Sequence, residues 1–235
     1  MTPLIINLAP TGMVPGSRQS PHVPLTPEAI AQNVLVCAEM GVSMAHLHAR
    51  LPDETPTESP EIYADIIRRI RAQNRDLVII VSTSGRLQPD VEKRAAPLLL
   101  EGAAKPDMAS LTLGSMNFSA NASTNSPQTI MRLAQIMQER DIKPELEVFD
   151  LGMVNYAKIL IDKGLVKAPY YFNILLGNPA TAQMNLLHLS TIIADLPAGS
   201  IWSLGGIGRF QQQANALGAV LGHGVRVGLE DNLWR

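Results

Sequence analysis

Hydrophobic and polar positions follow two alternating patterns along the chain. Eight short runs of mostly apolar residues are separated by longer stretches in which apolar residues recur every three or four positions. The first pattern is typical of buried strands, and the second is typical of helices that cover a sheet. The pattern predicts eight strands, over Leu4–Ala9, Ser43–Ala49, Leu77–Thr83, Met108–Leu113, Leu146–Phe149, Tyr170–Leu176, Ile201–Leu204 and Val225–Leu229.

Helix starts are marked by a hydroxyl residue followed by proline. Thr26, Ser59 and Ser126 each stand directly before a proline, which is the arrangement expected for an N-cap with proline at the first helical position. After Ser59, apolar residues are spaced to form one stripe on a helix, at Ile62, Ile66, Ile67 and Ile70. Strands that alternate with helices in this way predict a parallel sheet with helical crossovers.

The number of strands favours a closed (β/α)₈ TIM barrel over an open sheet. A barrel of this type typically has about 250 residues, and this chain has 235. A doubly wound open sheet is the alternative, but the turn Ala9–Gly12 lacks the glycine-rich phosphate pattern usual after its first strand. Because the sequence reaches Arg235 soon after the eighth strand, we expect one domain over residues 1–235 without the last helix, and an apolar strand face left uncovered there.

Composition and charge exclude several kinds of protein. Hydrophobic residues make up 46% of the chain, which suffices for a large core. Nineteen Lys+Arg against 21 Asp+Glu, with no basic block, argue against nucleic-acid binding. The longest apolar runs, such as Leu77–Val81, are too short to cross a bilayer. The single cysteine, Cys37, cannot form an internal disulfide, which favours a cytoplasmic location.

Two histidines on the predicted second strand form a candidate metal site. Side chains at positions i and i+2 of a strand point to the same face, so His46 and His48 should project together. Near the carboxyl end of a barrel strand, such a pair is well placed to bind a divalent metal. The alternative is a pair of structural histidines within a polar layer of the barrel.

Acidic residues on two other strands complete the candidate site. Glu230 and Asp231 follow the eighth strand and offer a third metal ligand, although acids after a strand can also cap a helix. Glu145 and Glu147 share one face of the fifth strand. Because unpaired buried charge is costly, these two carboxylates need cations nearby, such as Arg226 or a metal.

Hydroxyl groups and a glycine-rich turn suggest further binding residues. Ser82, Ser110 and Thr112 lie at strand ends and could hold a substrate oxygen, although such groups are often ordinary turn or capping residues. Backbone N–H groups between Gly205 and Arg209 could contact a phosphate, as many barrels do after the seventh strand. A tight strand–helix connection is the competing explanation for this turn.

Taken together and in order, the motifs of this chain resemble those of the β-keto acid cleavage enzymes. The resemblance runs through nearly the whole sequence, and no single motif would be specific. It is carried by Asn7–Gly12, His46–His48, Ser82–Gly85, Leu111–Ser115 with Asn117-Phe118, Pro144–Glu147, Gly205–Arg209 and Val225–Asn232.

The resemblance implies a zinc-bearing (β/α)₈ barrel that condenses a β-keto acid with acetyl-CoA. The products would be acetoacetate and a new CoA thioester, and family members usually assemble as homo-oligomers. By their matching positions, the expected zinc ligands are His46, His48 and Glu230, the expected general base is Asp231, and the residues expected to tune and orient that base are Arg226 and Glu147. We expect the cations to lower the pKa of Asp231, and we expect Glu147 to oppose that shift.

The resemblance also implies where the substrates bind. Ser82 and Ser110 match positions that hold the keto acid, and Val14 stands where one branch has an acidic residue that recognises a substrate amine. An amino-keto acid is therefore not expected. Further expected contacts are Thr112 and Glu145 for the keto acid, and Gly206, Gly208 and Arg209 for CoA.

Two other functions fit the same residues. A metal-dependent aldolase or lyase on this barrel would act on a keto acid without CoA. A non-catalytic barrel that binds a small acid, or an inactive fragment, would show no turnover at all.

Overall fold

The chain forms a closed barrel of eight parallel strands. The structure, a computed structural model, describes residues 3–234. Each strand pairs with its sequence neighbours, and the last strand pairs with the first, in register from Ile5 opposite Gly224 to Leu8 opposite Val227. The predicted TIM barrel is therefore confirmed. The strands are β1 Ile5–Leu8, β2 Met44–Leu47, β3 Val78–Val81, β4 Met108–Thr112, β5 Lys143–Val148, β6 Tyr171–Leu176, β7 Ile201–Gly206 and β8 Gly224–Val227.

Helices follow the first seven strands and cover the outside of the barrel. The third is a single turn, extended by the 3₁₀ turns Ala96–Leu99 and Gly102–Ala104, and a third 3₁₀ turn, Gly208–Phe210, precedes the last helix. Two small antiparallel ribbons, Ala49–Arg50 with Pro56–Thr57 and Met116–Asn117 with Ala122–Ser123, rise from the ends of β2 and β4. The helices are α1 Pro27–Glu39, α2 Pro60–Arg71, α3 Val91–Arg94, α4 Pro127–Glu139, α5 Leu151–Asp162, α6 Leu186–Asp195 and α7 Gln211–Leu221.

The predicted helix caps and the apolar stripe are confirmed. The hydroxyls of Thr26, Ser59 and Ser126 each accept a hydrogen bond from the backbone N–H three residues later, at the starts of α1, α2 and α4. Ile66 and Ile67 of α2 are fully buried against the strands. These local signals set where each helix begins and which face it turns toward the barrel.

Apolar side chains form two separate layers. The larger lies between the strands and the helices, and a smaller cluster of Met44, Ile80, Met108 and Tyr171 fills the amino-terminal end of the barrel interior. Polar residues occupy the positions further along the same strand faces. The interior is therefore dry at one end and becomes polar toward the carboxyl ends of the strands, where barrel enzymes carry their sites.

Within residues 3–234 no helix follows β8. Exposed apolar side chains lie on either side of this position: Val36 on α1, Met40 directly after α1, and Val220 and Leu221 on α7. Among the helices described here, none combines the length and the apolar character that crossing a membrane requires.

We expect Ser126→Ala to lower the free energy of unfolding by about 1 kcal/mol, because it removes the acceptor for an otherwise unpaired N–H at the start of α4. Urea denaturation measures the change. Ser190→Ala is the matched control: this serine is exposed inside α6, where alanine is at least as favourable. Equal stability of the two variants would contradict the cap's contribution.

Candidate metal centre and active site

Three side chains converge at the carboxyl end of the barrel: His46 on β2, His48 directly after β2, and Glu230 in the loop after β8. The Nε2 atoms of His46 and His48 are 3.2 Å apart. Glu230 places Oε1 3.2 Å from Nε2 of His48 and Oε2 3.9 Å from Nε2 of His46. The strand brings the histidines together, as the alternation predicts, and closure of the barrel brings Glu230 to them, because β1 separates β2 from β8 by one strand.

The spacing of these atoms fits a metal ion. Two nitrogen ligands of a tetrahedral zinc ion lie about 3.3 Å apart, close to the distance between the imidazoles. Oε2 of Glu230 is buried without a hydrogen-bond partner among the described residues, so one ligand atom is free. Two imidazoles and one carboxylate are also a ligand set typical of catalytic zinc, which leaves a position open. These three residues could therefore hold a divalent metal.

Glu145 lies beneath the histidines and supports one of them. Its Oε2 accepts a hydrogen bond from Nδ1 of His46 at 2.6 Å, while Oε1 accepts from the amides of Asn7 and Asn173. Burial alone would lower the pKa of His46, but the charge of Glu145 raises it overall. With Nδ1 held as a donor, Nε2 keeps its lone pair for a metal.

The position of Glu145 corrects one expectation. The residue is fully buried, does not line the cavity and has both carboxylate oxygens engaged. It therefore supports a candidate metal ligand and does not contact a substrate in the cavity.

Arg226, on β8, holds the remaining carboxylates of the site. Its Nε donates to Oδ2 of Asp231 at 2.8 Å, and its Nη2 lies 2.9 Å from Oε1 of Glu230. Its Nη1 reaches Oε1 of Glu147 at the longer distance of 3.5 Å. Thr112 donates its hydroxyl to the other oxygen of Glu147 at 2.6 Å. One buried guanidinium thus fixes the orientation of Asp231 beside the candidate metal site.

The pKa directions separate the two neighbouring acids. Burial opposes ionisation of Glu230, but Arg226 and the histidines outweigh it and hold the pKa of Glu230 well below its usual range. Burial also raises the pKa of Asp231, and the charge of Glu230 adds to this, so the pKa is raised although Arg226 opposes the shift. Arg226 and His46 lower the pKa of Asp231 as expected, but burial and the charge of Glu230 outweigh them, and the opposing carboxylate is Glu230.

The predicted hydroxyl residues lie on the wall of one cavity of about 290 Å³, which the histidines, Arg226, Glu230 and Asp231 also line. The Oγ atoms of Ser82 and Ser110 each accept a backbone N–H, from Ser84 and Thr83 respectively. Their hydroxyl protons remain available to a ligand oxygen. Thr112 also lines the cavity, but it donates to Glu147, so its hydroxyl supports a carboxylate of the site.

The loop after β1 forms one side of the cavity mouth. Val14 is 61% exposed and lines the cavity. Arg50 ties this loop down by donating to the carbonyls of Gly12 and Pro15. Gly12 has φ +71°, and a Cβ there would meet Cγ of Glu230 at 2.5 Å. A side chain at position 12 would therefore displace a candidate metal ligand.

Of the glycine-rich turn after β7, Ile207 lines the cavity, but the glycines and Arg209 do not. The N–H of Gly208 is donated to the carbonyl of Asp231 at 2.7 Å. A Cβ at Gly206 would collide with the backbone of Phe210. These glycines allow a tight strand–helix connection that supports the Asp231 backbone, so the N–H of Gly208 is already engaged. Contact of CoA with Gly206 and Arg209 stays a prediction.

Several cavity residues are absent from the sequence-based site, and two of them contact each other. Arg86, in the loop after β3, and Phe118, in the ribbon after β4, both line the cavity, and the guanidinium carbon lies 3.6 Å from the ring centroid. Arg86 follows the hydroxyl run that ends at Ser84, so its place at the carboxyl end of a strand was the available signal. Its contact with Phe118 depends on the folding of a separate loop.

The fold and the site define a (β/α)₈ barrel with a candidate metal centre and a buried acid–arginine pair at its catalytic end. The model of the beta-keto acid cleavage enzyme family matches residues 3–235. The chain belongs to this family.

Two characterised relatives cover almost all of the chain. It is 37% identical to the 3-keto-5-aminohexanoate cleavage enzyme of Fusobacterium nucleatum, over 100% of this chain and 84% of the relative. It is 34% identical to the 3-oxoadipate:acetyl-CoA acetyltransferase of Cupriavidus necator, over 98% of this chain and 81% of the relative.

A solved structure shares the fold at lower identity. The ternary complex of ObcA with a C4-CoA adduct and oxalate matches with a TM-score of 0.82 and 21% identity. The match covers 91% of this chain and 58% of the ObcA chain. At this identity the likeness supports the barrel fold alone.

We expect Glu145→Gln to weaken zinc binding by about 10- to 100-fold, because the neutral amide no longer holds Nδ1 of His46 as strongly. Competition with a chromophoric chelator measures the zinc Kd without any need for turnover. Glu139→Gln is the matched control, since Glu139 is an exposed carboxylate on α4. An unchanged zinc Kd in Glu145→Gln would show that this hydrogen bond does not support a metal ligand.

Proposed function

We propose that this protein is a zinc-dependent β-keto acid:acetyl-CoA transferase, whose products are acetoacetate and a new CoA thioester. The observation that carries the proposal is the convergence of His46, His48 and Glu230 beside an Asp231 that Arg226 orients, within one cavity. Several relatives of the chain have acetyl-CoA in their names, including a 3-oxoadipate:acetyl-CoA acetyltransferase and a 3,5-dioxohexanoate:acetyl-CoA acetone transferase.

The proposed reaction balances without a further reactant. The bond between the keto carbon and the methylene carbon of the carboxymethyl group breaks, and that methylene carbon bonds to the carbonyl carbon of the acetyl group. The CoA sulfur leaves the acetyl group and takes the acyl group left from the keto acid. The reaction therefore needs a proton acceptor, a means of stabilising oxygen charge and a cavity that excludes water.

Asp231 is the proposed proton acceptor. Asp231 lines the cavity beside the candidate metal ligands and is held in one orientation by the bidentate contact with Arg226, so its carboxylate is positioned to act as a base. Proton removal from the carbon between the keto and carboxylate groups would start the reaction. A zinc ion bound by the two histidines and Glu230 would supply Lewis-acid stabilisation to the keto oxygen.

Ser82 and Ser110 are the proposed contacts for the reacting carboxylate, because both hydroxyls keep a proton to donate into the cavity. Val14 offers no charge to a substrate amine at the cavity mouth, which agrees with a keto acid that carries no amino group. A cytoplasmic location and homo-oligomeric assembly complete the proposal, the first because Cys37 has no partner for an internal disulfide.

We expect the zinc-loaded protein to form acetoacetate from a panel of β-keto acids only when acetyl-CoA is present. Acetoacetate and the new thioester are measured by mass spectrometry. Turnover of a keto acid alone would instead identify an aldolase or lyase.

His46→Ala and His48→Ala should each lose zinc, because each removes one of three ligands. A folded wild-type protein with no affinity for zinc would contradict the proposal.

We expect Asp231→Asn to retain zinc but to slow turnover by about 10²- to 10⁴-fold, the usual contribution of a positioned base. The amide can still accept a hydrogen bond from Arg226, which keeps the local structure. Metal analysis and single-turnover rates are measured on the same preparation. A wild-type rate would place the base at another residue.

A further inference from the structure

Arg86 is a positive charge at the cavity without a protein partner. Among residues 3–234 its side chain forms no ion pair and donates no hydrogen bond, and its Nε is buried. The guanidinium is stacked on the ring of Phe118, with the guanidinium carbon 3.6 Å from the centroid, and both residues line the cavity. Stacking holds the plane of the guanidinium in place and leaves its N–H groups free to donate hydrogen bonds.

The other charged groups of the cavity have partners. Arg226 is paired with Asp231 and Glu230, and Glu147 accepts a hydrogen bond from Thr112. Burial lowers the pKa of Arg86, but three carboxylates of the site oppose this and arginine stays charged at neutral pH. A partly buried charge is costly unless an opposite charge or a set of hydrogen bonds satisfies it.

The lining of the cavity that contains Arg86 fits a carbon chain that ends in an acid. Met13, Val14 and Met116 provide apolar contacts on the cavity wall, and they carry no charge to pair with a ligand amine. A planar guanidinium matches the two oxygens of a carboxylate. Ser82 and Ser110 already offer hydroxyl protons to the reacting carboxylate, so Arg86 is available to a second one.

We infer that Arg86, stacked on Phe118, forms a subsite for a second carboxylate at the far end of the keto acid, so that the substrate is a β-keto diacid. The inference rests on the proposed function for the identity of the first carboxylate. Arg86 would then determine which keto acids are accepted, while the residues around the candidate metal act on the part of the molecule that all β-keto acids share.

The test compares diacids with monoacids of the same length. Calorimetric titration of the zinc-loaded protein, without acetyl-CoA, measures the Kd of 3-oxopentanedioate and 3-oxohexanedioate against 3-oxopentanoate and 3-oxohexanoate. We expect one of the diacids to bind about 10- to 100-fold more tightly than its matched monoacid, the usual size of a charge-assisted hydrogen bond. Arg86→Met should abolish this preference and Arg86→Lys should keep part of it, with the Kd of the monoacids unchanged.

Arg68→Met is the matched control, because Arg68 is exposed on α2 and lies outside the cavity. Thermal unfolding of each variant verifies that Arg86→Met is folded. Three results would overturn the inference: no preference for either diacid in the wild-type protein, equal weakening of monoacids and diacids by Arg86→Met, or unchanged keto acid Kd values with a change confined to the KM of acetyl-CoA in a separate steady-state assay. The second would assign Arg86 to the shared carboxylate, and the third to a phosphate of CoA.

The binding measurement is independent of the proposed reaction. If no keto acid yields acetoacetate but the diacid preference depends on Arg86, the proposed function fails and the carboxylate subsite stands. If acetoacetate forms from monoacids and diacids alike and Arg86→Met changes neither Kd, the subsite fails and the proposed function stands.

Discussion

The ion pairs of Arg226 are the interaction on which the site depends. Glu230, Asp231 and Glu147 are carboxylates in or beside the barrel interior, where unpaired negative charge would be strongly destabilising. One guanidinium with five donors can satisfy several carboxylates at once, which a lysine could not do with the same geometry. Because the two strongest contacts go to neighbouring residues, Arg226 fixes both Glu230 and Asp231 with different atoms. Ligand and candidate base are thereby held in a constant relation.

The barrel and the candidate metal centre could both be predicted from the sequence, because both follow from a period. Strand runs, N-cap residues and the isoleucine stripe of α2 are local signals, and the structure confirms them. The two histidines share a face because strand side chains alternate. Eight strands predict a closed barrel, and closure of the barrel places Glu230 beside the histidines.

Periodicity could not predict how deep within the barrel each side chain lies. Glu145 and Glu147 point to the same side of β5, but successive same-face residues differ in height by about 6.6 Å along a strand. That difference separates a carboxylate beneath His46 from one beside Arg226. The role of the Gly208 N–H could not be predicted for a related reason. It is donated to the carbonyl of Asp231, a contact between segments that are distant along the chain. The pairing of Arg86 with Phe118 likewise joins two loops that no sequence spacing relates.

The cavity divides into a floor whose groups are mutually bound and a mouth whose groups are less constrained. Asn7, Asn173 and Glu145 hold one histidine from below, and Thr83 and Ser84 orient the hydroxyls of the wall. By contrast, Val14 has no polar side-chain group to engage, and the side chain of Arg86 has no polar partner among the described residues, although both residues line the cavity. Substitutions at the mouth can therefore change which molecules enter without disturbing the chemistry below. This arrangement suits a family whose members act on different keto acids.

A metal at the candidate site would have a structural role as well, because its ligands lie on both sides of the seam between β8 and β1. Two candidate ligands come from the carboxyl end of β2 and the residue after it, and the third comes from just after β8. An ion bound by these residues would bind the closed barrel more tightly than a barrel opened at this seam, because only the two imidazoles would remain together in the opened form. By linkage, the ion would then oppose opening of the seam to the same extent. A single bound cation would thus cross-link the segment around β2 to the segment after β8.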